Sequence, residues 1–173
     1  MVSIKIKRWQ ANQNCGGYVL DRCEWVAPFA DNTFVNRLTM DSYTGAARED
    51  LIWDLWDQGY SREEIMQVII DKDADFLVRE YPLREVDYTG DPAVELIAYR
   101  LCFPSEDEMG STDLDLDSLD SFDYHFRIRR NGIWYEKCGK AEPRECDDWR
   151  PERWGARDDR LTYDGPIKYF VRI

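Results

Sequence analysis

The positions of the apolar residues predict three helices in the first half of the chain. Apolar positions along one stripe predict a helix over 15–25, with Asn14 as its N-cap. A second helix is predicted over 46–58 by apolar residues at helical spacing, and Gly59 ends it. A capping box at 61–64 opens a third helix, which is expected to form a hairpin with the second.

Strands are predicted mainly in the second half of the chain. The nearly continuous apolar run over 94–103 predicts a central, buried strand. Asn131-Gly132, the strongest short-range hairpin signal, separates strands predicted over 122–130 and 133–137. Weaker patterns predict short strands over 3–9, 76–79 and 169–173 and a long loop over 142–159.

The order of these elements predicts an α+β fold with N-terminal helices packed on an antiparallel sheet. At 173 residues, of which 43% are hydrophobic, the chain is expected to form one domain over 1–173. The formal net charge is −12, and eight acidic residues with no Lys or Arg lie between positions 104 and 124. This tract is predicted to be a solvated acidic loop of the domain.

The negative net charge limits the kinds of partner that the protein is expected to bind. A chain with a net charge of −12 is not expected to bind nucleic acid. No apolar run reaches about 18 residues, so no membrane span is expected, and residues 1–10 lack an apolar signal core. A cytoplasmic protein, or one delivered as an effector, is therefore expected. The acidic loop is expected to suit a basic protein partner.

The chain carries five cysteines and one histidine. Free thiols in a reducing compartment are expected, although pairing of Cys138 with Cys146 stays open for a secreted protein. One histidine and no Cys-x-x-Cys pair predict no metal site. The sequence has no Gly-rich phosphate loop, and no cofactor is expected.

Cys15 and His125 are the candidate nucleophile and base. His125 is the only histidine, and general-base chemistry near neutral pH favours this residue type. Cys15 opens a predicted helix, whose N-terminus favours a thiolate. Gly16 and Gly17 each lower helix propensity by about 1 kcal/mol, which close approach of a substrate backbone would explain. The alternative is a buried structural cysteine beside a flexible turn.

The residues around Cys15 supply candidate donors for a developing oxyanion. Backbone N–H groups at the start of the helix, including that of Gly16, are predicted to face the substrate oxygen. An amide side chain from Asn12 or Gln13 is expected to join them, and Asn14 belongs to the same predicted substrate-binding segment.

The predicted hairpin register places Glu136 beside His125. If Asn131 and Gly132 are the turn residues, Arg127 faces Glu136, and alternation puts both on the His125 face. Diagonal neighbours lie about 7–8 Å apart at the backbone, within reach of long side chains. Glu136 is therefore predicted to orient the imidazole, the third role in a triad. The alternative is that it pairs with Arg127.

Two motifs resemble those of a bacterial family of papain-like, NlpC-type cysteine hydrolases, which includes a protein of insecticidal toxin complexes. Asn14-Cys15 resembles the family's Asn-Cys-Tyr-x-Tyr, and residues 123–127 and 131–139 resemble Asp-Tyr-His-Trp-Tyr-Arg and Asp-Gly-x-Trp-Ser-His-Lys-x-Gly. Gly16 stands where the family has an aromatic residue, and Glu136 stands where it has a second histidine.

The resemblance implies a papain-like fold, with Cys15 as nucleophile and His125 as base. It implies hydrolysis of an amide bond in a peptide or protein substrate. Three alternatives stay open: a glutamine deamidase with the same machinery, a degenerate papain-like fold that binds without cleaving, and a non-enzymatic acidic protein of the interaction or immunity type that uses residues 104–124.

Overall fold

The computed structural model describes residues 13–26, 45–110, 123–139, 141–146, 154–155 and 162–173. Its helices are α1 (Cys15–Val19), α2 (Gly45–Asp57), α3 (Arg62–Glu80) and α4 (Glu106–Met109). Its strands are β1 (Leu83–Val86), β2 (Leu96–Cys102), β3 (Asp123–Arg130), β4 (Ile133–Glu136), β5 (Arg144–Glu145), β6 (Trp154–Gly155), β7 (Thr162–Tyr163) and β8 (Ile167–Arg172).

Helices and an antiparallel sheet form an α+β fold, as predicted. Six strands pair in the order β1-β8-β2-β3-β4-β5, and every pairing is antiparallel. Strands β6 and β7 form a separate antiparallel pair. Strand β2 is buried along its whole length, which explains its continuous apolar pattern.

Each face of the sheet carries its own apolar cluster. On one face, Tyr99 and Phe126 pack with helix residues such as Ile69 and Leu77. On the other face, a smaller cluster contains Leu96, Ala98, Cys102, Trp134 and Tyr163. Because side chains alternate along a strand, consecutive residues of β3 face different clusters.

The hairpin of α2 and α3 agrees with the apolar pattern. Gly59 adopts a φ of +87°, a backbone conformation that glycine enters without strain. Ser61 and Glu64 form the predicted capping box. Helix α3 runs on to Glu80, so the strand predicted over 76–79 is wrong. Leu77 continues the buried stripe of α3 and is fully buried.

The hairpin of β3 and β4 has the predicted turn and register. Asn131 and Gly132 both have positive φ, at 52° and 80°. Arg130 pairs with Ile133, and Arg127 pairs with Glu136.

Other predicted boundaries need correction. The helix predicted over 15–25 is only the five residues of α1, because Asp21 adopts a φ of 54° and turns the chain back. The loop predicted over 142–159 contains β5 and β6, and the acidic loop predicted over 104–124 contains α4 and the start of β3. The strand predicted over 3–9 and residues 111–122 of the acidic tract lie outside the described residues.

None of the described helices combines the length and the apolar character that crossing a membrane requires.

Candidate active site

Asn14 fixes the start of α1 and its place against β3. Its Oδ1 accepts hydrogen bonds from the N–H groups of Gly17 and Val26, both at 2.9 Å. Its Nδ2 donates to the Val26 carbonyl at 2.7 Å and to the Tyr124 hydroxyl at 2.8 Å. Since the side-chain amide has two hydrogens and both are engaged, Asn14 serves as an N-cap and an anchor. That Asn14 belongs to the substrate-binding segment stays a prediction.

The Cys15 sulfur lies beside the backbone of β3. The backbone N–H groups of Phe126 and Gly16 lower the pKa of its thiol and so favour the thiolate. Strand β4 pairs with β3 only from Arg127 onward. The thiol therefore reaches β3 where β4 has ended, at the residue that follows His125.

Burial decides the charge state of Cys15. The residue is only 6% exposed, and burial raises the pKa of its thiol to about 12. The Asp123 carboxylate and the Cys138 thiol act in the same direction, and the two N–H donors only partly offset them. The sequence predicted a helix N-terminus that favours the thiolate. The N–H of Gly16 at the start of α1 acts in this direction, but α1 has only five residues and burial outweighs its effect.

His125 and Glu136 are in direct contact. The His125 Nε2 and the Glu136 Oε2 are 3.1 Å apart across the hairpin. Both alternatives for Glu136 occur together, because the same Oε2 accepts a hydrogen bond from the Arg127 Nε at 3.0 Å. The Oε1 atom accepts from the Arg144 Nε at 2.7 Å.

These contacts keep Glu136 ionised. Burial opposes the charge, but the hydrogen bond from His125, the positive charge of Arg127 and the hydrogen bond from Arg144 outweigh it and hold the pKa of Glu136 well below its usual value. An ionised carboxylate only accepts hydrogen bonds, so the Nε2 of His125 carries the hydrogen. The Nδ1 atom is then the nitrogen that can take up a proton.

Cys138 lies beside His125 and Glu136, and the sequence analysis did not predict it as a site residue. Its sulfur, a His125 ring nitrogen and a Glu136 carboxylate oxygen all lie within 4.8 Å of one another. Cys138 is two residues beyond Glu136, and this even spacing on a strand is the signal that could have placed both on one face.

The donor set of His125, Glu136 and Cys138 resembles a zinc site in composition. However, both oxygens of Glu136 already accept hydrogen bonds from cationic side chains, those of Arg127 and Arg144. A divalent cation would have to displace them and lie beside two guanidinium groups. The residues present therefore do not fit a metal ion.

Lys137 is a second residue that sequence reasoning missed. Its side chain is fully buried, and its Nζ donates to the Gln13 carbonyl at 2.5 Å and to the Gly139 carbonyl. Burial lowers the pKa of Lys137, while the nearby Cys15 and Cys138 act against this effect. Lys137 thus ties the end of β4 to the residues that precede Cys15.

Gln13 is held on both sides. Its Nε2 donates to the Arg22 carbonyl at 2.9 Å, and its backbone carbonyl binds Lys137. The side chain keeps a second amide hydrogen, which can serve a substrate. Asn12, the alternative amide donor, lies outside the described residues.

The two glycines after Cys15 make room for the protein's own chain. A Cβ atom at Gly16 would lie 2.6 Å from the Val26 carbonyl oxygen, and one at Gly17 would lie 2.1 Å from the Glu24 carbonyl oxygen. The expectation that a substrate backbone approaches here is therefore corrected, because the segment that follows α1 fills this space.

All five cysteines are free thiols. The Cys146 N–H donates to the Trp134 carbonyl at 2.9 Å, so Cys146 lies opposite Trp134. Cys138 lies four residues beyond Trp134. The register of β4 and β5 thus separates Cys138 from Cys146.

Cys15 and His125 lie on different faces of the sheet. Cys15 belongs to the cluster on the helix side. His125 alternates with Phe126 and faces the opposite side, where its ring centroid lies 5.8 Å from that of Tyr163. Comparisons with family models, with curated proteins and with solved structures found no match.

Proposed function

We propose that this protein is a thiol-dependent amide hydrolase of papain-like architecture, in which Cys15 is the nucleophile and His125 the base. One observation carries the proposal: the His125 ring is held by the Glu136 carboxylate at 3.1 Å, and His125 precedes Phe126, whose backbone N–H acts on the Cys15 thiol. An imidazole fixed by a carboxylate supplies a base and its orienting partner, and in this proposal the Cys15 thiol at the start of α1 serves them as the nucleophile.

The reaction has two steps. The Cys15 sulfur attacks the amide carbonyl carbon, and its proton passes to the Nδ1 of His125. His125 then donates this proton to the leaving nitrogen as the C–N bond breaks, which leaves a thioester on Cys15. Water attacks the thioester and gives a proton to His125, the carboxylic acid departs, and the proton returns to the thiol.

Each supporting residue has one task. Glu136 keeps the Nε2 hydrogen of His125 in place and stabilises the ring when it is positively charged. Gln13 is the side chain that we assign to the developing oxyanion, through its second amide hydrogen. Lys137 holds Gln13 in position through the backbone carbonyl.

A peptide library tests this function and separates hydrolysis from deamidation. We expect the parent protein to produce new peptide termini or, as a deamidase, to convert Gln side chains to Glu without chain cleavage. We expect Cys15→Ser to reduce either product by about 10³-fold. Mass spectrometry of the library measures both products.

The matched control is Cys23→Ser, which removes an exposed thiol. It should leave product formation unchanged. Full product formation in Cys15→Ser, together with its loss in Cys138→Ser, would assign the nucleophile to Cys138. Absence of both products from the parent protein would favour the acidic interaction protein.

A further inference from the structure

Cys138 places a thiol beside the His125 ring. The Cys138 sulfur, a His125 ring nitrogen and a Glu136 carboxylate oxygen all lie within 4.8 Å of one another. The His125 Nε2 and the Glu136 Oε2 are 3.1 Å apart, so the carboxylate fixes the ring next to which the sulfur lies. A thiol, an imidazole and a carboxylate therefore form one contiguous group.

The chain around Cys138 keeps this thiol in place. Strand β4 ends at Glu136, and the Cys138 carbonyl, two residues later, accepts a hydrogen bond from the Ala141 N–H at 2.8 Å. Gly139 lies within this turn with a φ of 49°, and its carbonyl accepts a hydrogen bond from the Lys137 Nζ. The backbone of Cys138 is thus fixed on both sides, at the end of β4.

Two guanidinium groups bind the carboxylate of this group. The Arg127 Nε donates to the Glu136 Oε2 at 3.0 Å, and the Arg144 Nε donates to the Oε1 at 2.7 Å. Two positive charges outweigh the single negative charge of Glu136, and an electropositive surrounding favours a thiolate over a thiol. The His125 ring adds a third positive charge once it has taken up a proton.

Cys138 combines access to solvent with a neighbouring imidazole. Cys15 and Cys102 are buried, Cys138 and Cys146 are partly exposed, and Cys23 is exposed. Cys146 lies outside the group formed with His125 and Glu136, and burial raises the pKa of its thiol to about 12. A small solute can therefore reach Cys138, where a base stands ready to take the thiol proton.

We propose that Cys138 is a site of oxidation by hydrogen peroxide, at which the His125 imidazole, held by Glu136, accepts the thiol proton. The Cys138 sulfur attacks one peroxide oxygen, so that the S–O bond forms as the O–O bond breaks. The departing hydroxide takes the proton from His125 and leaves as water, while the sulfur, oxidised by two electrons, becomes a sulfenic acid. The inference shares His125 with the proposed function but requires neither Cys15 nor an amide substrate.

Dimedone, which bonds to sulfenic acids but not to thiols, tests this site in the full chain. The protein is treated with hydrogen peroxide in the presence of dimedone, and mass spectrometry of its peptides gives the labelling rate of each cysteine. We expect Cys138 to be labelled about tenfold faster than Cys23 and Cys146. This comparison is made within the parent protein, so it does not depend on the folding of any variant.

Two variants test the partners of Cys138. His125→Gln should slow the labelling of Cys138 by about 10²-fold and leave that of Cys23 unchanged. Arg144→Gln removes a charge from a side chain that is 49% exposed, and it should slow the labelling of Cys138 by about threefold. The matched control is Arg79→Gln, which removes a positive charge from the exposed end of α3 and should label as the parent does.

Two results would overturn the inference. One is labelling of Cys138 no faster than that of Cys23 in the parent protein. The other is an unchanged labelling rate of Cys138 in His125→Gln, with the buried Cys102 still unlabelled as evidence that the variant keeps its fold. Neither result bears on the peptide library. Absence of library products from a parent protein whose Cys138 is labelled as expected would overturn the proposed function alone.

Discussion

At the scale of single residues, Cys15 illustrates what local sequence can and cannot provide. Its position at a helix start, with Asn14 as the cap, follows from adjacent residue types and was predicted. Its burial, which raises the thiol pKa to about 12, comes from β3 and from the segment that follows α1. These contacts join positions far apart in the sequence, so no local pattern contains them.

Gly17 is expected to be essential for the packing of α1 against the segment that follows it. A Cβ at Gly17 would overlap the Glu24 carbonyl oxygen at 2.1 Å, so Gly17→Ala should lower the free energy of unfolding by about 2–4 kcal/mol. Gly59→Ala is the matched control. Nothing lies within 4 Å of its Cβ position, and only its positive φ costs about 1–2 kcal/mol.

Urea denaturation of both variants measures the difference. We expect the lower midpoint for Gly17→Ala. Equal midpoints, or a lower one for Gly59→Ala, would mean that the segment after α1 does not pack as described.

At the scale of elements, the β3–β4 hairpin was the most predictable part of the site. Asn131-Gly132 fixes the turn, and counting outward gives the pair Arg127 and Glu136. The contact between His125 and Glu136 follows from that register. By contrast, Arg144 lies in a segment that was predicted to be a loop. A two-residue strand carries too short a pattern to be recognised.

The contacts of the Glu136 carboxylate with Arg127, Arg144 and His125 predict a loss of stability in acid. The pKa of Glu136 is lowered in the folded protein from its usual 4.5. The stabilisation from its charged form is therefore complete above that usual value, and it is lost as the pH falls toward the lowered pKa. We expect the free energy of unfolding to decline below about pH 4.5, and the decline to be shallower in Glu136→Gln.

Urea unfolding at a series of pH values checks this, with Glu145→Gln as the control. Glu145 is the exposed neighbour of Arg144 on β5, so its substitution should leave the slope unchanged. A slope that is equally steep in Glu136→Gln and in the parent protein would contradict the role given to this carboxylate.

At the scale of the whole molecule, the α+β class was predictable because helical and strand periodicities occupy different parts of the chain. The strand order was not, since β8, from the end of the chain, inserts between β1 and β2. The position of Cys15 on the face of the sheet opposite His125 was equally hidden. It depends on how α1 packs against β3, and the alternating pattern does not specify that packing.

The measurement that bears most directly on the active site is the transfer of an acyl group from p-nitrophenyl acetate, located by peptide mapping. We expect a transient thioester on Cys15, formed about 10²-fold more slowly in His125→Gln, and turnover that Cys138→Ser preserves. Two results would contradict the assignment of Cys15 as nucleophile and His125 as base. One is a thioester that forms on Cys138 while Cys15 stays unmodified, and the other is a thioester that forms on Cys15 at the same rate without His125.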